Sequence, residues 1–204
     1  MTEQQVISTI TTYFNSHGFL SYRIDHKTLS GGKKSPDLEV CKDKNKVFYC
    51  EIKSPLHLVN EATKMYHWTT SMSKLRGFIH KAVQQFQDFD QNHNYPWVIA
   101  FTSDHFQLNW TSMIHALQGV VSFNGTIVRD LRKERYIIET IEDVGNIDMY
   151  IWSQINPKKN NIYQMKIVLN KKLPLFKKTK EISELLKSKP DKNIQFLSID
   201  EVFL

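Results

Sequence analysis

The sequence predicts an α/β fold, a mixed central sheet flanked by helices, with a C-terminal α+β extension. Three observations carry this. Apolar residues Val6, Ile7, Ile10, Tyr13 and Phe14 recur at helical steps; two short strand patterns at 37–41 and 47–53 are joined by a polar turn; and a long amphipathic stretch at 74–89 precedes the continuous apolar run Trp97-Val98-Ile99-Ala100-Phe101.

Each element has a local reason. The opening helix, Gln4 to His17, ends at Gly18, which tolerates the left-handed backbone of a helix C-cap. A strand at 20–24 follows, then a polar loop ending in Gly31-Gly32-Lys33-Lys34-Ser35-Pro36. Lys42-Asp43-Lys44-Asn45-Lys46 is the turn of a hairpin. The stretch Ser54 to Ser73 has no clear period and stays unassigned. Over Lys74 to Phe89, the stripe Leu75, Phe78, Ile79, Ala82, Val83, Phe86 and Phe89 makes a helix, and Arg76, Lys81, Gln84 and Gln85 fall off its centre. The run at 97–101, apolar on both faces, suits a buried strand. Further on, a helix over 108–117, a hairpin of strands 147–152 and 163–169, a helix over 181–187 stopped by Pro190 and a last strand at 194–199 complete the pattern.

With 204 residues, 41% hydrophobic and 24% charged, the chain has globular composition and room for one substantial domain. No segment has the length and apolarity of a membrane span, and the polar start does not read as a signal peptide, so a cytoplasmic protein with no membrane partner is expected. Cys41 and Cys50 are too few for a disulfide framework or a zinc site. The net charge of +6 is concentrated in residues 157–192, which hold eleven lysines against Glu181, Glu184 and Asp191. Such a segment is either a footprint for a polyanion or a solvated surface.

The chemistry lies in Ser35-Pro36-Asp37-Leu38-Glu39-Val40 and Phe48-Tyr49-Cys50-Glu51-Ile52-Lys53. Strand alternation puts Glu51 and Lys53 on one face with Ile52 toward the core. Asp37 joins them if the hairpin pairs residues whose numbers sum to 88, which sets Lys42 opposite Lys46 around a three-residue loop. Two adjacent carboxylates repel unless a cation lies between them, and hard oxygen donors select Mg²⁺ or Mn²⁺.

Pro36-Asp37 followed fourteen positions later by Glu51-Ile52-Lys53 resembles the signature of the PD-(D/E)XK nuclease superfamily. The resemblance covers residues 1–102, whose order of helix, three strands, helix and strand is similar to that superfamily's restriction-endonuclease-like core; residues 103–204 would elaborate the same domain. A second acid-x-Lys, Asp25-His26-Lys27, lacks the preceding Pro-Asp strand.

The resemblance implies a metal-dependent nuclease, most readily a DNA endonuclease of restriction, recombination or repair type. Asp37 and Glu51 would be metal ligands with the Ile52 carbonyl, and Lys53 would orient or deprotonate the attacking water or stabilise charge. It also offers Glu3, on the opening helix, as a third acid, and Lys81 with Gln85 or Gln84 on the later helix as nucleic-acid contacts; the basic loop residues Lys33 and Lys34 and the helix residue Arg76 are further candidate phosphate contacts on their charge alone. Glu39 is an additional candidate acid. His57 and His67 are candidate acids beside a phosphate, and Tyr66, Trp68 and Trp110 candidate stacking residues, each with an ordinary packing or surface role as the alternative. A non-cleaving nucleic-acid-binding or assembly module and an RNA endonuclease are the rival functions, and a homodimer is compatible with either.

Overall fold

The computed structural model describes residues 2–25, 34–55, 68–123, 126–130, 138–156, 158–159, 161–188 and 195–198. Helix α1, Glu3–Ser16, opens on a capping box in which the Thr2 hydroxyl accepts from the Gln5 amide and the Gln5 side chain accepts from the Thr2 amide. It closes on Gly18 at φ +83°, with the Phe19 amide donating back to the Phe14 carbonyl. Strands β1 (Leu20–Arg23), β2 (Leu38–Lys42) and β3 (Asn45–Lys53) follow, then α2 (Trp68–Phe89) and β4 (Trp97–Ser103). The second half supplies α3 (Trp110–Gln118), β5 (Val120–Phe123), β6 (Thr126–Asp130), α4 (Ile138–Gly145), β7 (Met149–Asn156), β8 (Asn161–Leu169), α5 (Phe176–Lys187) and β9 (Gln195–Ser198).

Among the described residues seven strands form one mixed sheet in the order β1-β2-β3-β4-β7-β8-β9, so strands from both halves of the chain share it. The β1–β2–β3 meander is antiparallel, β3, β4 and β7 run parallel, and β8 returns antiparallel to β7. On one face, α1 and α5 cover Leu38, Val40, Phe48, Cys50, Ile52, Val98, Ala100 and Ile151. On the other, α2 and α3 cover Tyr49, Ile99, Phe101, Tyr150 and Trp152. The expected α2 stripe is the buried one: Leu75, Ile79, Ala82, Val83 and Phe86 are each at most 1% exposed. At about 1.5–3 kcal/mol for each large side chain withdrawn from water, this row alone anchors the helix. Among the described residues no helix is long and apolar enough to cross a membrane.

The structure departs from the sequence reading in several places. Helix α2 starts at Trp68, inside the unassigned stretch, and α5 starts at Phe176 rather than Glu181. The antiparallel β5–β6 pair and α4 were not anticipated.

The β2–β3 hairpin is the informative difference. Its turn has two residues, Asp43 and Lys44, both at positive φ (50° and 67°), with Lys42 opposite Asn45 rather than Lys46. Positive φ at both central positions is the type I′ geometry whose twist matches a hairpin. A bulge between Val40 and Cys41 then shifts the register, so that Val40 faces Phe48, Glu39 faces Tyr49 and Leu38 faces Cys50. The pairing expected near Asp37 and Glu51 is thus present, reached by a tighter turn and one extra residue on β3.

Candidate catalytic site

The site lies where β3 reaches the carboxyl end of the parallel strands. Alternation sends Cys50 and Ile52 into the α1 face and Tyr49, Glu51 and Lys53 toward α2. Asp37, immediately before β2, meets Glu51 across the hairpin. The Asp37 amide donates to Oε2 of Glu51 at 3.1 Å, and the Ile52 amide donates to Oδ2 of Asp37 at 2.7 Å. Each carboxylate is therefore held by the backbone of the strand that carries the other.

Lys53 donates its ammonium to Oε1 of Glu51 as an ion pair and lies 3.3 Å from Oε1 of Gln85 on α2. Gln85 in turn donates from Nε2 to the Ser35 carbonyl at 3.0 Å. One amide thus ties α2, β3 and the strand entry before Asp37 together. The Glu51 residue is 1% exposed. Burial pushes its carboxyl up to about 7 and the Asp37 charge adds to that, while Lys53 and Gln85 pull the other way. A carboxylate kept partly protonated near neutrality by desolvation and a neighbouring like charge is poised to exchange its proton for a cation.

The oxygen donors fit a hard divalent ion. In an extended strand the amide and carbonyl of one residue leave on the same side, so the Ile52 carbonyl points to the side on which its amide meets Asp37. Two carboxylates and one carbonyl, completed by water, suit Mg²⁺ or Mn²⁺, which commonly keep several waters. Among the described residues no three His, Cys, Asp or Glu side chains gather into a metal cluster.

Several other expectations are placed elsewhere. Glu3 is exposed in the first turn of α1 and completes no three-acid group with Asp37 and Glu51, so its position answers to the helix dipole. Arg76 is not a surface contact. It is 2% exposed and donates from Nε to the Ala116 carbonyl at 2.8 Å, because α3 packs over this side of α2 beside the apolar stripe. Glu39 pairs with Lys46 at 2.7 Å instead of joining the site. Gln84 bonds to His80, which reaches Asp143.

Lys81 and Lys34 are exposed, and Lys34 adjoins the anchored Ser35. Trp110 lies against the Lys166 ammonium, 4.8 Å from its ring centre, which is a packing role. Lys33, His57, Tyr66 and His67 fall outside the described residues, as does the side chain of Trp68. The sequence reading placed Gln85 among substrate contacts, whereas the structure joins it to Lys53. Its signal was its position beside the α2 stripe.

The fold also divides the basic segment. Asn170 donates its amide to the Asp148 carbonyl, and Asp148 donates to that of Trp97, which puts Lys171 and Lys172 at the amino end of the parallel strands. Lys178 lies over the Tyr95 ring at the same end. Lys158 and Lys159, in the β7–β8 turn, sit at the opposite end, the end of Lys53.

Comparison with protein-family models, curated proteins and solved structures finds no match to this chain.

Proposed function

We propose that the protein is a metal-dependent phosphodiesterase of the PD-(D/E)XK type acting on DNA. The observation that carries the reading is the reciprocal pairing of Asp37 and Glu51 through each other's strand, with Lys53 on the same face. The chain order α1-β1-β2-β3-α2-β4, with its first four strands adjacent in the sheet, is the arrangement the resemblance implies and supports it further.

When bound, Mg²⁺ supplies charge neutralisation at the scissile phosphate and a more acidic attacking water. Asp37 and Glu51 would hold the ion through oxygens whose positions the hairpin already fixes. Glu51 would give up its proton and its share of Lys53 to do so. The Lys53 ammonium, retained by Gln85, then turns to the phosphate, where it orients the attacking water and offsets the charge that develops on the phosphoryl oxygens. By the same resemblance the product carries a 5′-phosphate.

The experiment is incubation with supercoiled plasmid, linear duplex, single-stranded and branched DNA and RNA, each with Mg²⁺, Mn²⁺ or EDTA. DNA cleavage that needs the metal and falls by on the order of 10²-fold or more in Asp37→Ala and Glu51→Ala supports the reading. Equal turnover by wild type and Asp37→Ala refutes it. Cleavage confined to RNA replaces the substrate.

A further inference from the structure

At the carboxyl end of β4 and β7 is a second feature that the catalytic site does not use. A cleft of about 460 Å³ opens between the β4–α3 loop and the β7–β8 turn, with Asp104, His105, Phe106, Asn156, Lys158 and Tyr163 in its wall. Phe106 is 74% exposed and Tyr163 43%, an expense of apolar surface for which nothing in the described fold accounts. The Phe106 and His105 rings are stacked, with centroids 5.1 Å apart and planes at 22°.

The walls are held in place by the backbone. His105 donates its amide to Ser103 Oγ at 3.1 Å, and its carbonyl accepts from Gln154 Nε2 at 2.9 Å. On the other side, Asn156 Oδ1 accepts from the amides of Lys158 and Lys159 at 2.9 and 3.3 Å, which closes the turn around the two cations. Exposed aromatic rings on fixed supports, polar groups in the wall and the Lys158 ammonium at the rim are the components of a site for one planar base and its phosphate.

Its location gives the occupant. In the parallel register Lys53 is level with Phe101, and Phe101 with Trp152. Two strand spacings, roughly 10 Å, separate β3 from β7, and Asp104 and Asn156 lie five and six residues beyond the positions level with Glu51, roughly 17 to 20 Å along the strands, a span covered by about six stacked nucleotides. We infer that this cleft is a stacking subsite for an unpaired base of the DNA strand whose phosphodiester lies at Asp37 and Glu51, so that the substrate is single-stranded or has an overhang or flap. The inference rests on the nuclease reading for the identity of that strand. A base inside an intact duplex has both faces occupied and cannot enter.

The test is equilibrium binding in EDTA, on an Asp37→Ala background, to oligonucleotides with 2-aminopurine at successive unpaired positions, compared with a blunt duplex. The expected result is a fluorescence change at a position about six nucleotides from the cut. Phe106→Ala and Tyr163→Ala should each weaken overhang binding by about 5- to 100-fold, Phe106→Trp should retain it, and blunt-duplex binding should stay unchanged. Both aromatic side chains are exposed, and thermal melts check that the variants fold.

Equal overhang affinity in folded Phe106→Ala and Tyr163→Ala, or an unresponsive 2-aminopurine at every position, overturns the subsite even if the wild type cuts DNA. Position-specific binding that these variants lose, in a protein that cuts nothing with Mg²⁺ or Mn²⁺, keeps the subsite and discards the nuclease reading.

Discussion

The backbone amide of Asp37 donates to the carboxylate of Glu51 at 3.1 Å. With the Ile52 amide returning the interaction to Asp37 at 2.7 Å, the two acids are oriented by the strands rather than by each other's charge. Such a pair stays assembled when the charge of either member changes.

One consequence concerns pH. The Glu51 carboxyl is pushed by burial from an ordinary 4.5 up to about 7, so between those values the folded chain binds a proton that the unfolded chain has lost. Stability of the metal-free protein therefore falls as pH rises through that window. Glu51→Gln should remove the slope and stabilise the protein at pH 8 by up to about 3 kcal/mol. Urea unfolding in EDTA at pH 5 and pH 8 measures this, and an unchanged pH 8 midpoint contradicts it.

Metal binding should follow the same group with the opposite sense. Below about 7 the proton competes with the ion at Glu51, so Mn²⁺ affinity should drop by up to about tenfold per pH unit on the acid side. Isothermal titration between pH 5.5 and 8 checks it. Glu51→Gln should bind more weakly and lose most of the dependence.

The division of the lysines predicts a difference between two sets. Lys171, Lys172 and Lys178 lie at the end of the sheet remote from Asp37 and Glu51, so changing all three to Gln should leave the salt dependence of DNA binding unaltered. Lys158→Gln with Lys159→Gln should make the slope shallower by about 1 to 2 in log K against log salt. Filter binding from 50 to 300 mM salt separates the two sets.

A structural prediction concerns Asp90. Burial raises its carboxyl, but the amides of Asn94 and Tyr95, the Trp97 indole and the Asn94 side chain outweigh it and hold the group below the usual range. A depressed carboxyl stabilises the fold above the unfolded value and loses that contribution as pH falls through the folded one, so the effect belongs to strongly acidic solution. At pH 7 Asp90→Ala should cost about 2–4 kcal/mol, since several donors lose one buried acceptor. Thermal unfolding at pH 7 and pH 3 should show the difference between the two proteins narrowing in acid.

Periodicity made the first half of the chain legible, and it failed where side-chain pattern and structure part. The stripe from Leu75 to Phe86 identified α2, but its start at Trp68 lies among residues with no apolar repeat. In α5, Lys177, Lys178 and Lys180 concealed the first turn because charged residues on an exposed helix face resemble a loop. The β5–β6 pair had a signal that was passed over: Phe123 faces Thr126, and Asn124-Gly125 between them in sequence is a strong hairpin dipeptide.

Strand alternation alone placed Glu51 and Lys53 on one face, whereas Asp37 also needed the hairpin register, which the fold reaches through a different turn than the sequence suggested. Arg76 was not readable, because an arginine beside an apolar stripe looks solvated until a second helix is known to cover it. Likewise the Phe106–Tyr163 cleft joins residues from distant segments, and no local pattern links them.

The bulge between Val40 and Cys41 turns site assembly into a question of counting. The two-residue turn by itself would give Asp37 the parity of Cys50, on the opposite side of the sheet from Glu51; the extra residue on β3 restores it. Because that extra residue is itself unpaired, removing Val47 should leave Asp37 opposite Glu51. One residue added between Lys44 and Asn45 in that variant should keep them opposite as well, because a three-residue loop reaches the same pairing without a bulge. At the fourteen-position separation of Asp37 and Glu51, chains sharing this site are free to differ in turn length by one provided that they differ in the bulge as well.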